Sequence, residues 1–302
     1  MKPSEYSKNV PLVSVCIPTF NGQETIDATI QSVLNQDYKN IEIVISDDGS
    51  IDETLSIVRK FNDPRIRLLN DIPATTAAAN WNRTWRNSTG ELVKIMGQDD
   101  ILYSNCISQE VAAFGLNQDT KISFVFSQRN IISRSDRLLL KSRGNHYHPA
   151  LVQLQDQLPA IIRSGSNPVG EPVALLINRQ ILDEAGSFEG NYTIDLEMWL
   201  KLLAIAPAFA TNKTLVAFRV GRGSWSNSLR SSQADDTAKL HKQMHHLFPR
   251  LVSKKDIAIG FVMAQIMQFV RIPGITLKEY ELVLRERVGF GLQKLWEFIR
   301  LK

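Results

Sequence analysis

The stretch that decides the fold spans residues 12–21 and reads LVSVCIPTFN. Residues 12–17 are rich in branched apolar side chains and stop at Pro18, which is typical of a buried strand that runs into a loop. Residues 23–34 then carry apolar side chains at helical spacing, and residues 41–45 repeat the strand pattern before an Asp-Asp-Gly sequence. A strand, a helix and a second strand in this order predict a parallel sheet.

Two further strands are predicted to bring acidic residues to one edge of that sheet. Residues 66–69 and 92–96 are short apolar runs, and the second leads into Gly-Gln-Asp-Asp at 97–100. Because the carboxyl ends of parallel strands form the ligand-binding crevice, we expect the pairs Asp47-Asp48 and Asp99-Asp100 to lie close together. Carboxylates without clustered Cys or His side chains favour Mg²⁺ or Mn²⁺ with a phosphate ligand. The alternative is that these residues form turns and helix caps, where Asp is common.

Composition limits the classes of protein. The chain has 302 residues, of which 43% are hydrophobic, and its 35 basic and 31 acidic residues leave a net charge of +4. This is enough apolar material for a core and too small a charge excess for a general nucleic-acid binder. Cys16 and Cys106 provide neither a disulfide framework nor a cysteine metal site. Because residues 1–9 are polar and the longest nearly apolar run is 257–270, no signal peptide or spanning helix is predicted, and we expect a cytoplasmic protein.

Several motifs, in the correct order, resemble those of the family 2 glycosyltransferases. They are VSVCIPTFN at 13–21, SVLNQ at 32–36, IVISDDGSIDET at 43–54, Asn82, GE at 90–91, QDD at 98–100, GSF at 186–188 and DLEMWL at 195–200. The likeness covers about residues 10–225. It implies an inverting enzyme of the GT-A fold, an α/β architecture whose mostly parallel, Rossmann-like central sheet has helices on both faces. A helical C-terminal extension would follow it.

The resemblance assigns roles to residues of the predicted crevice. Those expected to bind the nucleotide sugar are Pro18, Thr19, Phe20, Asp48, Asn82, Arg83 and Asp99. Asp48 would accept a hydrogen bond from a uracil ring, Asp99 would lie near the ribose, and Asp100 would bind the divalent cation on the diphosphate. A solvated helix face explains Arg83 equally well.

An inverting displacement needs a base that removes the proton of the acceptor hydroxyl. By resemblance this base is Asp195, at the start of a predicted helix, with Glu197 as the competitor for the role. Glu171, Glu197 and Trp199 are assigned to the acceptor side. Two alternatives stay open, namely that Asp195 only caps its helix and that Glu171 is a surface charge.

Two departures from the family pattern concern the metal. An acidic residue is common where Gln98 stands, and an amide oxygen is a weaker cation ligand than a carboxylate. Many relatives also carry a His ligand near the end of the catalytic domain, and residues 219–227 contain none. Mg²⁺ or Mn²⁺ is therefore the expected cofactor, on a metal motif that Gln98 weakens.

The composition shifts towards helix near residue 230. Residues 1–230 are predicted to form the catalytic domain, with a nucleotide-binding half at about 10–105 and an acceptor half at about 106–230, and residues 231–302 the helical extension. From Leu277 to Ile299 apolar residues recur every three or four positions, and residues 277–302 contain six basic and four acidic residues. This stripe either packs on the catalytic domain or makes peripheral contact with an anionic membrane surface.

Together these patterns predict a bacterial hexosyltransferase of surface polysaccharide assembly. Its partners would be a nucleotide-sugar donor, most simply a UDP-sugar, and a saccharide or lipid-linked saccharide acceptor, with no nucleic acid. Two alternatives stay open. One is a non-catalytic nucleotide-sugar-binding relative, suggested by Gln98 and the missing His. The other is a nucleotidyltransferase on a similar sheet, which would release diphosphate instead of UDP.

Overall fold

The computed structural model describes residues 10–71, 73–74, 76–116, 120–144, 149–221, 229 and 231–270. The strands are β1 Val13–Thr19, β2 Ile41–Asp47, β3 Ile66–Leu69, β4 Leu92–Ile95, β5 Ile101–Leu102, β6 Phe124–Ser133, β7 Leu138–Arg143, β8 Ala150–Val152, β9 Leu175–Asn178 and β10 Ala208–Val220. The helices are α1 Ile26–Leu34, α2 Thr54–Val58, α3 Ala77–Arg86, α4 Cys106–Leu116, α5 Leu154–Ser164, α6 Arg179–Ala185, α7 Ile194–Ile205, α8 Gln233–Leu247 and α9 Lys254–Val270. A short 3-10 turn spans Pro172–Ala174.

The first half of the sheet is parallel, as the sequence predicts. Its strands lie in the order β3-β2-β1-β4, with β1 aligned to β2 from the pair Val13 and Ile41 to the pair Thr19 and Asp47. All seven residues of β1 are buried, because helices and neighbouring strands cover an apolar strand on both faces. The four strands predicted in the first hundred residues are confirmed, and β1 extends beyond the expected stop to include Pro18.

The second half of the sheet mixes directions. Antiparallel β9 joins β4 to β6, β10 runs parallel to β6, and β5 closes the order β3-β2-β1-β4-β9-β6-β10-β5. Because β9 is antiparallel to both of its neighbours, β6 points in the same direction as β4. The predicted fold class is confirmed. One correction concerns residues 122–126 and 128–132, whose apolar runs predict two separate strands, whereas the structure has the single strand β6, Phe124–Ser133.

The chain forms two compact units, each with most of its contacts within itself. One comprises Met1–Gln153, Val169–Gly190 and Ile194–Val220, and the other comprises Leu154–Pro168, Asn191–Thr193 and Gly221–Lys302, apart from the residues that are not described. In the second unit α9 packs on α5 and α8. A Cβ atom on Gly260 of α9 would lie 2.2 Å from the Ile162 carbonyl oxygen, so this close approach requires glycine.

The domain organisation expected from the sequence stays a prediction, both for the boundary near residue 230 and for the division of the catalytic domain into halves. The apolar stripe from Leu277 to Ile299 lies outside the described residues. Among the helices that are described, none is both long enough and apolar enough to cross a bilayer.

Candidate active site

The carboxyl ends of β1, β2 and β4 meet at one edge of the sheet. Thr19 at the end of β1 is in register with Asp47 at the end of β2, and the backbone N–H of Asp48 donates to the Thr19 carbonyl oxygen at 2.9 Å. Strand β4 is aligned so that the Met96 N–H donates to the Cys16 carbonyl oxygen at 3.0 Å. The Gly-Gln-Asp-Asp segment at 97–100 therefore follows at the same edge, as expected.

Gln98 braces the loop that follows β1. Its Oε1 accepts from the Phe20 N–H at 2.8 Å and from the Thr19 hydroxyl, and its Nε2 donates to the Phe20 carbonyl oxygen at 2.9 Å. A Cβ atom on Gly22 would collide with the Gln98 amide, so glycine makes room for it. The amide oxygen that the sequence suggested as a weak metal ligand is thus occupied in holding Thr19 and Phe20.

The two aspartates that end β2 have different surroundings. Asp47 Oδ2 accepts from the N–H groups of Gly49 at 3.0 Å and Ser50 at 2.9 Å, so Asp47 is the turn residue of the alternative interpretation. Asp48 is half-buried, and its Oδ1 accepts from the Ala74 N–H. Beside it on the β1 loop, Phe20 is 54% exposed. Asp48 and Phe20 are therefore the accessible polar and aromatic groups at this end of the edge.

Arg219, near the end of β10, holds the Asp99–Asp100 turn from behind. Its Nε donates to the Asp99 carbonyl oxygen at 2.8 Å, and its backbone N–H donates to Asp100 Oδ1 at 3.2 Å. The second Asp100 oxygen accepts from the Gly97 N–H at 3.1 Å. The Arg219 residue is only 3% exposed, so a buried cation stands directly behind the acidic turn.

Burial disfavours the ionised forms of both carboxylates in the acidic turn. Burial raises the pKa of Asp100 well above its usual range, and the charge of Asp99 adds to this rise. Burial also raises the pKa of Asp99, against the opposing charges of Arg219 and Arg134. Two carboxylates whose ionised forms are disfavoured in this way are suited to a divalent cation, which would favour ionisation.

The few carboxylates at this edge fit a divalent cation that takes its other ligands from the substrate phosphates and water. Across the residues described, no group of three or more Asp, Glu, His or Cys side chains is placed to hold a metal ion on its own. Mg²⁺ commonly uses one or two carboxylates together with substrate phosphates and water. Asp99 and Asp100 meet that requirement, whereas a site built from protein ligands alone is not present in this part of the chain.

Asn82 and Arg83 of α3 are engaged within the protein. The Asn82 side chain donates to the Phe188 carbonyl oxygen at 2.8 Å and accepts from the Phe188 N–H at 2.9 Å. Arg83 forms an ion pair with Asp71 and reaches the Asp47 carbonyl oxygen at 3.5 Å. Asn82 therefore positions the segment at Phe188, and its assignment to the nucleotide is not supported by these contacts.

Helix α7 presents Asp195 and Glu197 in its first turn. Asp195 is half-buried, and its Oδ1 accepts from the Leu196 N–H at 2.7 Å. Glu197 lies 3.3 Å from the Lys201 Nζ atom. The two carboxylates thus lie in the same turn, and Glu197 forms an ion pair with Lys201 one turn further along the helix.

Trp199 corrects one expectation about the acceptor side. The side chain is completely buried against Phe124 and Phe188, and its Nε1 donates to the Gly170 carbonyl oxygen at 3.0 Å. A buried indole makes no contact with an acceptor in this arrangement. Trp199 instead positions the loop before Glu171.

Glu171 forms an ion pair that sequence patterns did not indicate. Its partner is Arg129 of β6, whose side chain is completely buried while that of Glu171 is 20% exposed. The Glu171 charge also contributes to the raised pKa of Asp100. Glu171 is therefore more than a surface charge, and it lies electrostatically close to the acidic turn.

Sequence reasoning missed the two buried arginines and the bracing role of Gln98. Arg129 and Arg219 both lie in strands, where an arginine is expected to be exposed unless a carboxylate or several carbonyl groups surround it. Each is separated by tens of residues from its partners, so no local pattern marks it. The only available signal was the predicted acidic edge, which needs cations nearby.

Comparison with known proteins agrees with this arrangement. The sequence profile of the family described as Glycosyl transferase family 2 matches residues 14–180. An uncharacterized protein of Mycobacterium tuberculosis is 29% identical over 203 residues, which are 64% of this chain and 62% of that protein. A UDP-Glc:alpha-D-GlcNAc-diphosphoundecaprenol beta-1,3-glucosyltransferase of Escherichia coli is 35% identical over 124 residues, 41% of this chain and 48% of that enzyme. The chain thus spans about half to two thirds of these relatives.

Among solved structures, the chain is similar to S. aureus TarS 1–349 in complex with UDP-GlcNAc. The TM-score is 0.64 at 16% sequence identity, and the match covers 95% of this chain and 83% of that one. At this identity the likeness shows a shared fold.

Proposed function

Because the chain belongs to glycosyl transferase family 2, we propose that it transfers a sugar, with inversion, from a UDP-sugar to a saccharide carried on a lipid diphosphate. The observation that carries this proposal is the acidic edge where β1, β2 and β4 end, with Asp48 and the Asp99–Asp100 turn on it. The E. coli relative, named for a UDP-Glc donor and a diphosphoundecaprenol acceptor, supports the choice of donor and acceptor class.

The nucleotide would bind along the loop that follows β1. Phe20 offers an exposed aromatic ring, and Asp48 offers a half-buried carboxylate to the N–H of a nucleobase. The three hydrogen bonds from Gln98 fix the position of this loop before the donor binds, which lowers the entropy that binding must remove. Pro18 and Thr19, both buried at the end of β1, would support the loop at Phe20 from the sheet.

Asp195 is proposed as the base that takes the proton from the acceptor hydroxyl. The N–H of Leu196 orients one oxygen of its carboxylate. Glu197, with Lys201 beside it, is held as an ion pair and is the weaker candidate. We assign Glu197 and Glu171 to the acceptor side, where each is partly exposed next to a cation of its own.

The expected divalent cation would be held by Asp100, with Asp99 beside it. When bound, Mg²⁺ or Mn²⁺ would stabilise the negative charge that develops on the leaving diphosphate. Arg219 keeps the turn in place through the Asp99 carbonyl oxygen and adds positive charge behind it. Peripheral contact with the inner face of the membrane through residues 277–299 is part of the same proposal, since a lipid-linked acceptor resides there.

A transfer assay tests this function and separates it from the alternatives. The protein is incubated with UDP-glucose and a synthetic GlcNAc-diphosphate-lipid, with and without Mn²⁺, and UDP and glycosylated lipid are quantified. We expect equal amounts of both products, dependence on the acceptor, and loss of transfer in Asp100→Asn. In a parallel incubation with UTP and glucose 1-phosphate, release of diphosphate and formation of UDP-glucose would identify a nucleotidyltransferase instead. A non-catalytic relative would bind UDP-sugars in a thermal-shift assay but would show neither sugar transfer nor slow hydrolysis of the donor.

A further inference from the structure

The turn between β6 and β7 and the start of β7 expose an unusual run of leucines. Leu138, Leu139 and Leu140 are 51%, 41% and 55% exposed. Consecutive side chains of a strand point to opposite faces, so leucines are presented on both faces of β7. In the described part of the chain β7 pairs with β6 alone, so its other edge forms no ladder with a further strand there. Contiguous exposed apolar side chains of this kind mark interaction surfaces.

The leucines are embedded in positive charge. Residues 134–143 contain three Arg, one Lys and one Asp, a net charge of +3 in a chain whose total is +4. Arg134 pairs with Glu24, and Asp136 pairs with Arg219 at 2.7 Å. Arg137, Lys141 and Arg143 form no ion pair with any described residue, and the first two are exposed. The charges that remain uncompensated around the leucines are therefore cationic.

This hairpin is attached to the candidate active site through one buried side chain. Arg219 Nη1 donates to the carbonyl oxygens of Ser133 at 3.1 Å and Arg134 at 3.0 Å, while its Nε donates to that of Asp99 at 2.8 Å. Because β6 and β4 point in the same direction, the hairpin also projects from the sheet edge that carries the acidic turn. A partner that binds the hairpin would therefore also orient the acidic turn relative to itself.

We propose that residues 134–141 form a docking surface for an anionic lipid bilayer, a surface that we call the leucine hairpin. This inference rests on the proposed function, because a lipid-linked acceptor gives the docking its use. Leucines inserted at the membrane interface with Arg and Lys at the headgroups combine apolar burial with electrostatic attraction. Docking here turns the acidic edge towards the layer in which the acceptor sugar lies.

A second copy of the chain fits this surface less well. Two copies pairing through β7 by a two-fold axis would bring the same patch of each against the other. Arg137 and Lys141 of one copy would then approach those of its partner, and like charges placed opposite each other across strands are destabilising. A bilayer rich in anionic lipid offers the complementary charge.

Vesicle sedimentation of the full-length protein tests the proposal. The probes are vesicles of phosphatidylcholine alone and of phosphatidylcholine with about 30% phosphatidylglycerol, an anionic lipid whose negative surface potential attracts basic segments. We expect the wild type to prefer the anionic vesicles. The variant Arg137→Gln/Lys141→Gln should lose about 30-fold in partition coefficient, since each basic residue near an anionic surface contributes about 1 kcal/mol. Leu138→Ser/Leu140→Ser should lose at least about tenfold, because each leucine is half exposed before docking.

Control variants carry substitutions of the same kind elsewhere, one exposed leucine in the first and two exposed lysines in the second. Leu247→Ser removes a leucine that is 55% exposed on α8, and Lys254→Gln/Lys255→Gln removes two exposed charges on α9. Both should partition like the wild type. Equal partition of the hairpin variants and the wild type would overturn the proposal. So would a wild type that ignores anionic vesicles, or a dimer in light scattering that the hairpin variants convert to monomer.

A paired activity assay separates failure of the docking surface from failure of the proposed function. The acceptor is supplied either in vesicles or as a water-soluble short-chain analogue. Hairpin variants should lose transfer to the vesicle-borne acceptor and keep it with the soluble one. Equal loss of transfer to the vesicle-borne and the soluble acceptor would contradict docking, since the hairpin would then be required for the reaction itself. No transfer by the wild type to either acceptor would contradict the proposed function, and the vesicle partition would still decide the docking surface by itself.

Discussion

The ion pair between Lys94 of β4 and Glu110 of α4 permits a sharp prediction about stability. The Lys94 Nζ atom lies 2.9 Å and 2.7 Å from the two Glu110 carboxylate oxygens and 3.2 Å from the Leu175 carbonyl oxygen. Both side chains are completely buried. Burial raises the pKa of Glu110, and the Lys94 ammonium opposes that rise. The pair is therefore a desolvated unit that joins α4 to β4, the strand that leads into the acidic turn.

Removing either partner leaves a charged group buried without compensation. On the scale measured for such pairs, Lys94→Met or Glu110→Leu should each reduce the free energy of unfolding by about 3–5 kcal/mol. Replacing both should be nearly neutral, within about 1 kcal/mol, because the desolvation of both charges disappears together with their attraction. The double variant is thus expected to be more stable than either single one.

Urea unfolding followed by tryptophan fluorescence provides the measurement, with free energies obtained by linear extrapolation. The control is Lys239→Met, which breaks the pair of Lys239 with Asp236, where the lysine side chain is 78% exposed. Exposed pairs contribute at most about 1 kcal/mol. The reasoning is refuted if Lys94→Met costs no more than Lys239→Met. It is refuted equally if the double variant shows the sum of the two single losses.

Two further predictions concern His241 and Arg219. Burial lowers the pKa of His241 from 6.5 to about 4, so the unfolded chain binds a proton at a higher pH than the folded one. The stability that the neutral His241 contributes is complete above about pH 6.5 and is lost as the pH falls towards 4. Between pH 7 and pH 5 this loss is about 2 kcal/mol of unfolding free energy. In urea unfolding at both pH values, His241→Leu should not show the loss. An unchanged pH slope would contradict this assignment. The Arg219 charge opposes the raised pKa of Asp99, so Arg219→Gln should move the acid limb of the pH–activity profile to higher pH. Arg219→Lys keeps the charge and should leave that limb closer to the wild type. Identical pH profiles of the two variants would argue against an electrostatic effect of Arg219 on Asp99.

The parallel strands were predictable because each is a continuous run of branched apolar residues that ends at a polar turn. Strand β6 shows where that reasoning fails. Ser127 and Gln128 interrupt its apolar pattern, and the sequence therefore suggested two strands. In the structure both are buried, with the Ser127 hydroxyl donating to the Ala174 carbonyl oxygen at 3.3 Å and Gln128 Oε1 accepting from the Thr214 hydroxyl at 3.0 Å. Partners distant in sequence make a polar residue acceptable in mid-strand.

The same limit applies to the candidate site. The acidic residues stand where strand ends were expected, so their common edge followed from topology. Gln98 and Trp199 were judged from the motifs around them, yet their contacts are with Phe20 and Gly170. Arg219 lies 120 residues from Asp99, to which it donates. Periodicity shows which face of a strand is buried, but it carries no information about which distant side chain faces it.

The role of Asp195 as the base is tested by comparing Asp195→Asn with Glu197→Gln in single-turnover sugar transfer, with UDP binding followed by calorimetry. Both changes are nearly isosteric, and the two residues lie in the same turn of α7. We expect Asp195→Asn to lose about 10² to 10⁴ in rate, the usual contribution of a general base, and to bind UDP as the wild type does. Glu197→Gln should remain within about tenfold of the wild type. Near wild-type transfer by Asp195→Asn, or a large loss confined to Glu197→Gln, would contradict this role of Asp195.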